Sequence, residues 1–344
     1  MHNRVSIVGA AALLACLAAG SSSPAAAQTI NGAGATFPYP IYAKWFQAYT
    51  QAHPNVKFNY QAVGSGAGIA QYKAGTVFFG ASDAPLSDAE YASMPQPTIH
   101  VPTVAGAVVL AYNIKGVGPG LRLSGDVIAD IYLGKIKSWN DPRIVKENPN
   151  ITLPAENVSV VHRSDGSGTT YIFTNYLAAV SGEWKSGVGS GKSVSWPAGL
   201  GGNGNAGVAG LVKSSSGGVG YVELAYAVQN KLAYGPVKNK AGNYVLASTA
   251  TTTAAANSAA SAMQRDVRTS IVNSGGVNTY PIAGFTYLLV PKAPKDAAIG
   301  RAFTDFVKWA MGPGQQMAES LLYARLPPPV VQINERAIGT IKLK

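Results

Sequence analysis

Four short stretches of this 344-residue chain combine small residues, hydroxyls and charge in patterns suited to holding an anion. The most specific is HRSDGSGTTY, His162 to Tyr171. Arg163 and Asp165 stand two apart at the end of an apolar run, and Gly166, Ser167, Gly168 and Thr169 follow as the opening of a helix. A guanidinium fork matches two oxygens of a tetrahedral oxyanion, and the N–H groups at a helix N-terminus point toward negative charge. Asp165 is placed to hold the fork in position. The same stretch also reads as a polar turn capping a helix. In NGAGATFPYP, Thr36 and Phe37 precede prolines at the start of a helical stripe, which leaves free N–H groups for an anion or a plain cap by Thr36. In VGSGAG, Ser65 offers a hydroxyl and an N–H between Gly64 and Gly66, which permit close approach. Alone, that too reads as a strand–turn–helix cap. In FGASDAPLS, Asp83 follows an apolar strand that Pro85 ends. It is either a cap for the next segment or a carboxylate facing the ligand. A carboxylate repels an anion unless the ligand brings a proton to share. Monohydrogen and dihydrogen phosphate bring one; sulfate at neutral pH does not.

Other chemistries find less support. GGNGNAG satisfies G-x-G-x-x-G at Gly202, Gly204 and Gly207 but lacks the following apolar helix and acidic residue of a dinucleotide site. Neither a P-loop nor a nucleophile-elbow pattern occurs. His2, His53, His100 and His162 have no metal-ligand spacing, so neither metal nor cofactor is expected. His162, the one imidazole near Ser167, alternates with Arg163 to the opposite strand face and reads as structural. The formal charge of +11 calls for an anionic partner. Lysines and arginines occur singly, without a basic run or stripe, which favours a small anion over nucleic acid.

The elements that must position these residues alternate. YPIYAKWFQAYTQAHP carries Ile41, Tyr42, Trp45, Phe46 and Tyr49 on one helical stripe ended by Pro54, and VKFNYQAV reads as a half-buried strand. GIAQYKAG suits a short helix, TVFFGAS a buried strand, HVPTVAGAVVLAYNI and NVSVVH further strands, and TTYIFTNYLAAV a helix. FTYLLV is a strand, and IGRAFTDFVKWAM an amphipathic helix with Phe303, Phe306, Val307 and Ala310 inward. Strands alternating with helices argue an α/β fold with mostly parallel pairing. The low-complexity run Ser248–Met263 fits either a helix or a surface loop. Hydrophobic residues are 47% of the chain and charged residues 12%, enough for a large core. The N-terminus reads as an export signal: positive MHNR, an apolar run, then Ala25 and Ala27 as a cleavage site before Gln28. The apolar run is too short to span a membrane. Lipid attachment at Cys16, the only cysteine, is the alternative to cleavage after Ala27. Cleavage leaves a mature chain with no disulfide.

Taken in order, GAGATFPYPIYAKW, GSGAG, FGASDAPLS, IYLGKIKSWNDP, RSDGSGTTYIFTNYL, WPAGLGGNGNAGVAG and GYVELAYA resemble the PstS family, the periplasmic phosphate-binding proteins of the phosphate ABC importer. The resemblance spans residues 30–325. It implies a two-lobed periplasmic-binding-protein fold of type II-like topology, each lobe an α/β sheet flanked by helices. It implies phosphate held by Thr36, Phe37, Ser65, Asp83, Arg163, Ser167, Gly168 and Thr169, with Asp165 orienting the arginine. Two departures occur: Phe78 stands where many relatives have an acid, and Gly66–Ala67 follow Ser65. The chain should cross between lobes near LAYNIKG and TYPIAGF, giving a signal peptide 1–27, lobe one at 28–110 plus 281–344, and lobe two at 111–280. Expected partners are inorganic phosphate and the membrane permease, with the protein a periplasmic monomer and not an enzyme. The competing readings are a phosphate-ester hydrolase using Ser65 or Ser167 and a binder of sulfate or molybdate.

Overall fold

A computed structural model of the protein describes residues 28–343; the expected export segment 1–27, with Cys16, lies outside them. β1 (Gln28–Gly34), β2 (Val56–Ala62) and β3 (Phe79–Ser82) are parallel, with β1 in the middle. β5 (Ser159–Arg163), β6 (Leu200–Gly202) and β7 (Gly218–Glu223) are also parallel, with β5 in the middle. Between the two groups run β4 (Thr98–Asn113) and β11 (Ala283–Pro291), giving the order β2-β1-β3-β11-β4-β7-β5-β6. Short β8 (Ala233–Tyr234) adds to the end of β4, while β9 (Val237–Lys238) and β10 (Tyr244–Val245) form a separate ribbon.

The parallel pairing expected from alternating strands and helices holds within each group. At the junction it gives way to antiparallel pairing of β11 with β3 and β4, and of β4 with β7. The cause lies in β4, sixteen residues long, apolar without a break from Val104 to Tyr112 and buried along almost its whole length. Residues Thr98–Ala107 pair with β11, and Val108–Asn113 pair with β7. At the changeover Val108 N donates to Ile282 O at 2.8 Å, one residue before β11 begins. One long strand thus serves both halves, and the chain returns through β11.

Helices cover both groups. The Tyr39–Ala52 helix, opened by prolines that need no donor there, buries Ile41, Tyr42, Trp45 and Tyr49. Phe46, half-buried, stacks on Phe58 at 4.5 Å and leans on Phe306 at 5.3 Å. The Ala297–Met311 helix buries Phe303, Phe306, Val307 and Ala310, the face its periodicity predicts. The ambiguous Ser248–Met263 run is a helix, Thr249–Met263, started by a reciprocal Ser248–Thr251 capping box. It buries Thr252, Ala255, Ala256, Ala259 and Met263 against β4 and β11. Its low complexity is that of a small-residue face.

Close packing of helix on strand decides where the candidate residues end up. A Cβ at Gly68 would stand 2.3 Å from Gly34 Cα and 2.7 Å from Ala33 O. The Ser65–Ala74 helix therefore lies directly on β1, which brings its N-terminus beside the end of that strand. Gly68→Ala should force the two apart and destabilise the protein by about 1–3 kcal/mol, lowering the urea midpoint at unchanged slope. Gly210→Ala, on a helix with nothing within 4 Å of the new methyl, should be neutral or stabilising by up to ~1 kcal/mol. Equal midpoints for the two variants would contradict this packing argument.

Candidate functional site

The predicted residues lie where strands of both groups end, the position at which open α/β sheets leave a crevice. Thr36 and Phe37 follow β1, Ser65 follows β2, Asp83 follows β3, and Arg163 ends β5. Arg163 is buried, and Asp165 grips it from the side: Nε donates to Oδ1 at 2.7 Å and Nη2 to Oδ2 at 2.5 Å. Nη1 reaches Thr169 Oγ1 at 3.4 Å. Asp165 Oδ1 also accepts from Gly204 N at 3.0 Å. Gly64, at φ 93°, leaves room for this carboxylate, since a Cβ there would sit 2.2 Å from Asp165 Oδ2. The Gly168–Val180 helix begins at once, with Ser167 Oγ accepting from Thr170 N at 3.1 Å as its cap. The turn reading and the pocket reading of this stretch therefore describe the same atoms.

The two halves meet at Ser65. Its hydroxyl oxygen accepts from Gly168 N at 3.0 Å and from Asp83 N at 3.3 Å. Gly66 N donates to Gly166 O at 2.8 Å beside it. Gly168 packs so tightly that a Cβ would come 2.5 Å from Asp83 Oδ2 and 2.6 Å from Ser65 Oγ. The N–H groups of Thr36, Phe37 and Thr169 have no acceptor among the described residues. All nine residues singled out in the sequence are thus gathered in one place. His162 is not among them: its ring stacks on Trp196 at 4.9 Å, and Nδ1 meets Arg163 O. Phe78 packs on Phe303 at 5.2 Å.

Four further residues complete the surroundings. Asn205 N and Nδ2 both donate to Thr36 Oγ1, at 3.2 and 2.9 Å, and Nδ2 also reaches Thr169 Oγ1 at 3.1 Å. Its Oδ1 accepts from Glu223 N at 2.8 Å. Tyr226 donates to Thr36 O at 2.6 Å and Tyr323 to Phe37 O at 2.7 Å. The one sequence signal for Asn205 was its place in WPAGLGGNGNAGVAG. Sequence alone shows no apolar helix after the G-x-G-x-x-G coincidence there; a helix does follow, Gly204–Ser214, burying Val208, Ala209 and Val212, and it starts beside Thr36. Tyr323, some 286 residues from Phe37, carries no local signal.

A family model described as a PBP superfamily domain matches residues 19–313. The chain is 47% identical over 319 residues to the phosphate-binding protein PstS of Xylella fastidiosa, covering 91% of this chain and 86% of that protein. It is 46% identical over 323 residues to the phosphate-binding protein PstS of Pasteurella multocida, covering 94% and 93%. A crystal structure of a phosphate-binding protein from Stenotrophomonas maltophilia superposes with a TM-score of 0.66 at 20% identity, covering 90% of this chain and 94% of that one. The latter likeness is one of fold, the two-lobed α/β architecture.

Asp83 is the electrostatic centre of this crevice. It is 3% exposed, and its Oδ1 finds no hydrogen-bond partner. It caps nothing, because the next helix, Asp88–Ala92, is capped by Ser87 in a box with Glu90. Burial pushes its carboxyl from 3.8 up to about 7, against the opposing pull of the Arg163 charge. A carboxyl whose pKa is raised on folding binds more protons folded than unfolded, so stability falls as pH rises between the two values. From about 4 to about 7 the protein should lose stability on the order of 4 kcal/mol through this group alone. Asp83→Asn should flatten that window and melt higher than the parent at mildly alkaline pH in phosphate-free buffer. Thermal melts with superimposable pH profiles for parent and variant would refute the buried, destabilised carboxylate.

Proposed function

The chain belongs to the PstS family of phosphate-binding proteins within the PBP superfamily, and from that premise we propose that it binds inorganic phosphate with high affinity and delivers it to the permease of a phosphate ABC importer. The observation that carries this reading is the convergence on one point of the Asp165-held Arg163 guanidinium, the unpaired N–H groups of Thr36, Phe37 and Thr169, and the buried Asp83 carboxyl. Cation and amides suit a tetrahedral dianion, and Asp83 accepts the proton that phosphate carries. Thr36, Phe37, Ser65, Asp83, Arg163, Ser167, Gly168 and Thr169 are the proposed ligand set.

Lobe one comprises residues 28–110 and 281–344 and lobe two residues 111–280, a division supported by the change of partner along β4 at Val108. The Thr249–Met263 helix also packs on β4, β11 and the Pro328–Gly339 helix, so it lies against lobe one while belonging in sequence to lobe two. Ligand groups come from both lobes. Phosphate therefore stabilises the closed arrangement, in which Lys192 also meets Glu90 at 2.6 Å across the rim. The closed form is what the permease reads, in the periplasm, reached through the 1–27 signal, with the protein a monomer. Binding is favoured over ester hydrolysis because Ser65 Oγ already accepts two backbone N–H bonds, Ser167 Oγ serves as a helix cap, and the His162 imidazole is stacked on Trp196. Purified protein should accordingly release no product from a chromogenic phosphate ester.

Arg163→Ala should weaken phosphate binding by about 2–5 kcal/mol, because it removes a charge-assisted pair and leaves oxyanion charge desolvated. Calorimetry giving an affinity within about threefold of the parent would remove the arginine from the site. Discrimination tests Asp83 directly. A site built around that shared proton should reject sulfate by roughly 10⁴–10⁵-fold. Asp83→Asn, whose amide can donate to sulfate, should lose most of this selectivity while retaining phosphate binding. Sulfate rejection undiminished in Asp83→Asn would place the selectivity elsewhere.

A further inference from the structure

Glu223, at the end of β7, is fully buried beneath the site, where its carboxyl caps the Leu224–Gln229 helix and also faces Tyr323. Its hydrogen-bond geometry determines its charge. Tyr323 has one hydroxyl hydrogen, and at 2.7 Å from Phe37 O that hydrogen goes to a carbonyl, which cannot donate. The same hydroxyl oxygen lies 3.1 Å from Glu223 Oε2. With the phenol's hydrogen committed, a hydrogen bond there needs one from the carboxyl. Oε2 also accepts from Ala225 N at 2.9 Å, and Oε1 is buried without any partner. An ionised carboxylate would leave that second oxygen charged and unsolvated, the arrangement buried acids avoid by taking up a proton. Burial, with the negative charge of Asp83 adding to it, pushes the Glu223 carboxyl well above the ordinary carboxylate range. Tyr226 and Tyr323, the other titratable groups facing it, are themselves held neutral by burial.

Glu223 also touches both sides of the crevice. Its N–H fixes Asn205 Oδ1, and Asn205 bridges Thr36 to Thr169. Its carboxyl fixes Tyr323, which holds Phe37 O. We propose that Glu223 is a positioning residue kept as a neutral acid, which orients the Thr36–Phe37 turn against the Arg163–Thr169 helix start through Tyr323 and Asn205 without adding a second negative charge under the anion. This rests on the reading of the crevice as a phosphate site, but its first test needs no ligand.

Infrared spectra of the full chain in phosphate-free, mildly alkaline buffer should contain the C=O stretch of a protonated carboxylic acid. That band should vanish in Glu223→Gln; a spectrum unchanged by this substitution overturns the neutral acid. Calorimetry with inorganic phosphate then tests positioning. Glu223→Gln is neutral and of the same shape, but the atom at its Oε2 position can either donate to Tyr323 or accept from Ala225 N, not both, so it should be weakened only a few-fold. Glu223→Leu can do neither and should bind about tenfold more weakly or worse. A Glu223→Leu protein that binds like the parent overturns the positioning role, as does a Glu223→Gln protein weakened as much as Glu223→Leu. Should Glu223→Leu fail to fold, the infrared band and the Glu223→Gln affinity still decide. If the parent itself shows no heat with phosphate, the binding reading has failed, and the infrared result continues to stand or fall by itself.

Discussion

A guanidinium only 1% exposed needs a carboxylate against it, because an unpaired buried charge costs several kcal/mol, and Asp165 supplies that carboxylate at 2.7 and 2.5 Å. Much of the local sequence follows from accommodating this pair. Gly64 has no Cβ because Asp165 Oδ2 occupies the space one would fill, and Gly204 presents its N–H to the other oxygen. Gly166 and Gly66 come together closely enough for a backbone hydrogen bond. The pair uses only one side of the arginine. Nη1, with no more than a long contact to Thr169 Oγ1, remains directed at the crevice where the helix N–H groups point.

The second constraint is the cost of carrying carboxyl charge in a buried crevice. Two carboxyls, Asp83 and Glu223, lie buried there, and burial raises both. They differ in surroundings. Glu223 has Tyr323 and Ala225 to satisfy one of its oxygens and sits behind the binding turn. Asp83 keeps Oδ1 buried without a partner, while Oδ2 lies where it would meet a Cβ on Gly168. One acid is suited to holding its proton permanently, the other to sharing a proton that arrives with a ligand. Neighbouring acids acquire different roles when their environments separate their pKa values.

Both constraints involve residues from the two halves of the molecule, which the long β4 strand brings together. Because it pairs with β11 and then with β7, the carboxyl ends of β1, β2 and β3 and those of β5, β6 and β7 come together across one junction. The contact of Ser65 Oγ with Gly168 N joins the two groups of strands at that junction.

Much of this was legible in the residues alone wherever cause and effect are close along the chain. Arg163, Asp165 and the helix start at Gly168 lie within six positions, so the ion pair, the turn and the free N–H groups could all be read from local chemistry. The stripes of Tyr39–Ala52 and Ala297–Met311 were equally plain, since periodicity reports which face is buried. What pairs with what across the molecule was not. Local sequence left Asp83 open to being a cap, and only the structure shows that Ser87 caps the following helix instead. Asn205 lies in a glycine-rich stretch with no local sign of its contacts, and Glu223 and Tyr323 looked like ordinary members of a strand and a loop. Their roles arise from contacts spanning 100 to 286 residues of sequence. Local pattern encodes propensity and burial, but the charge state of a buried acid depends on which atoms surround it, and only the packed tertiary structure sets those.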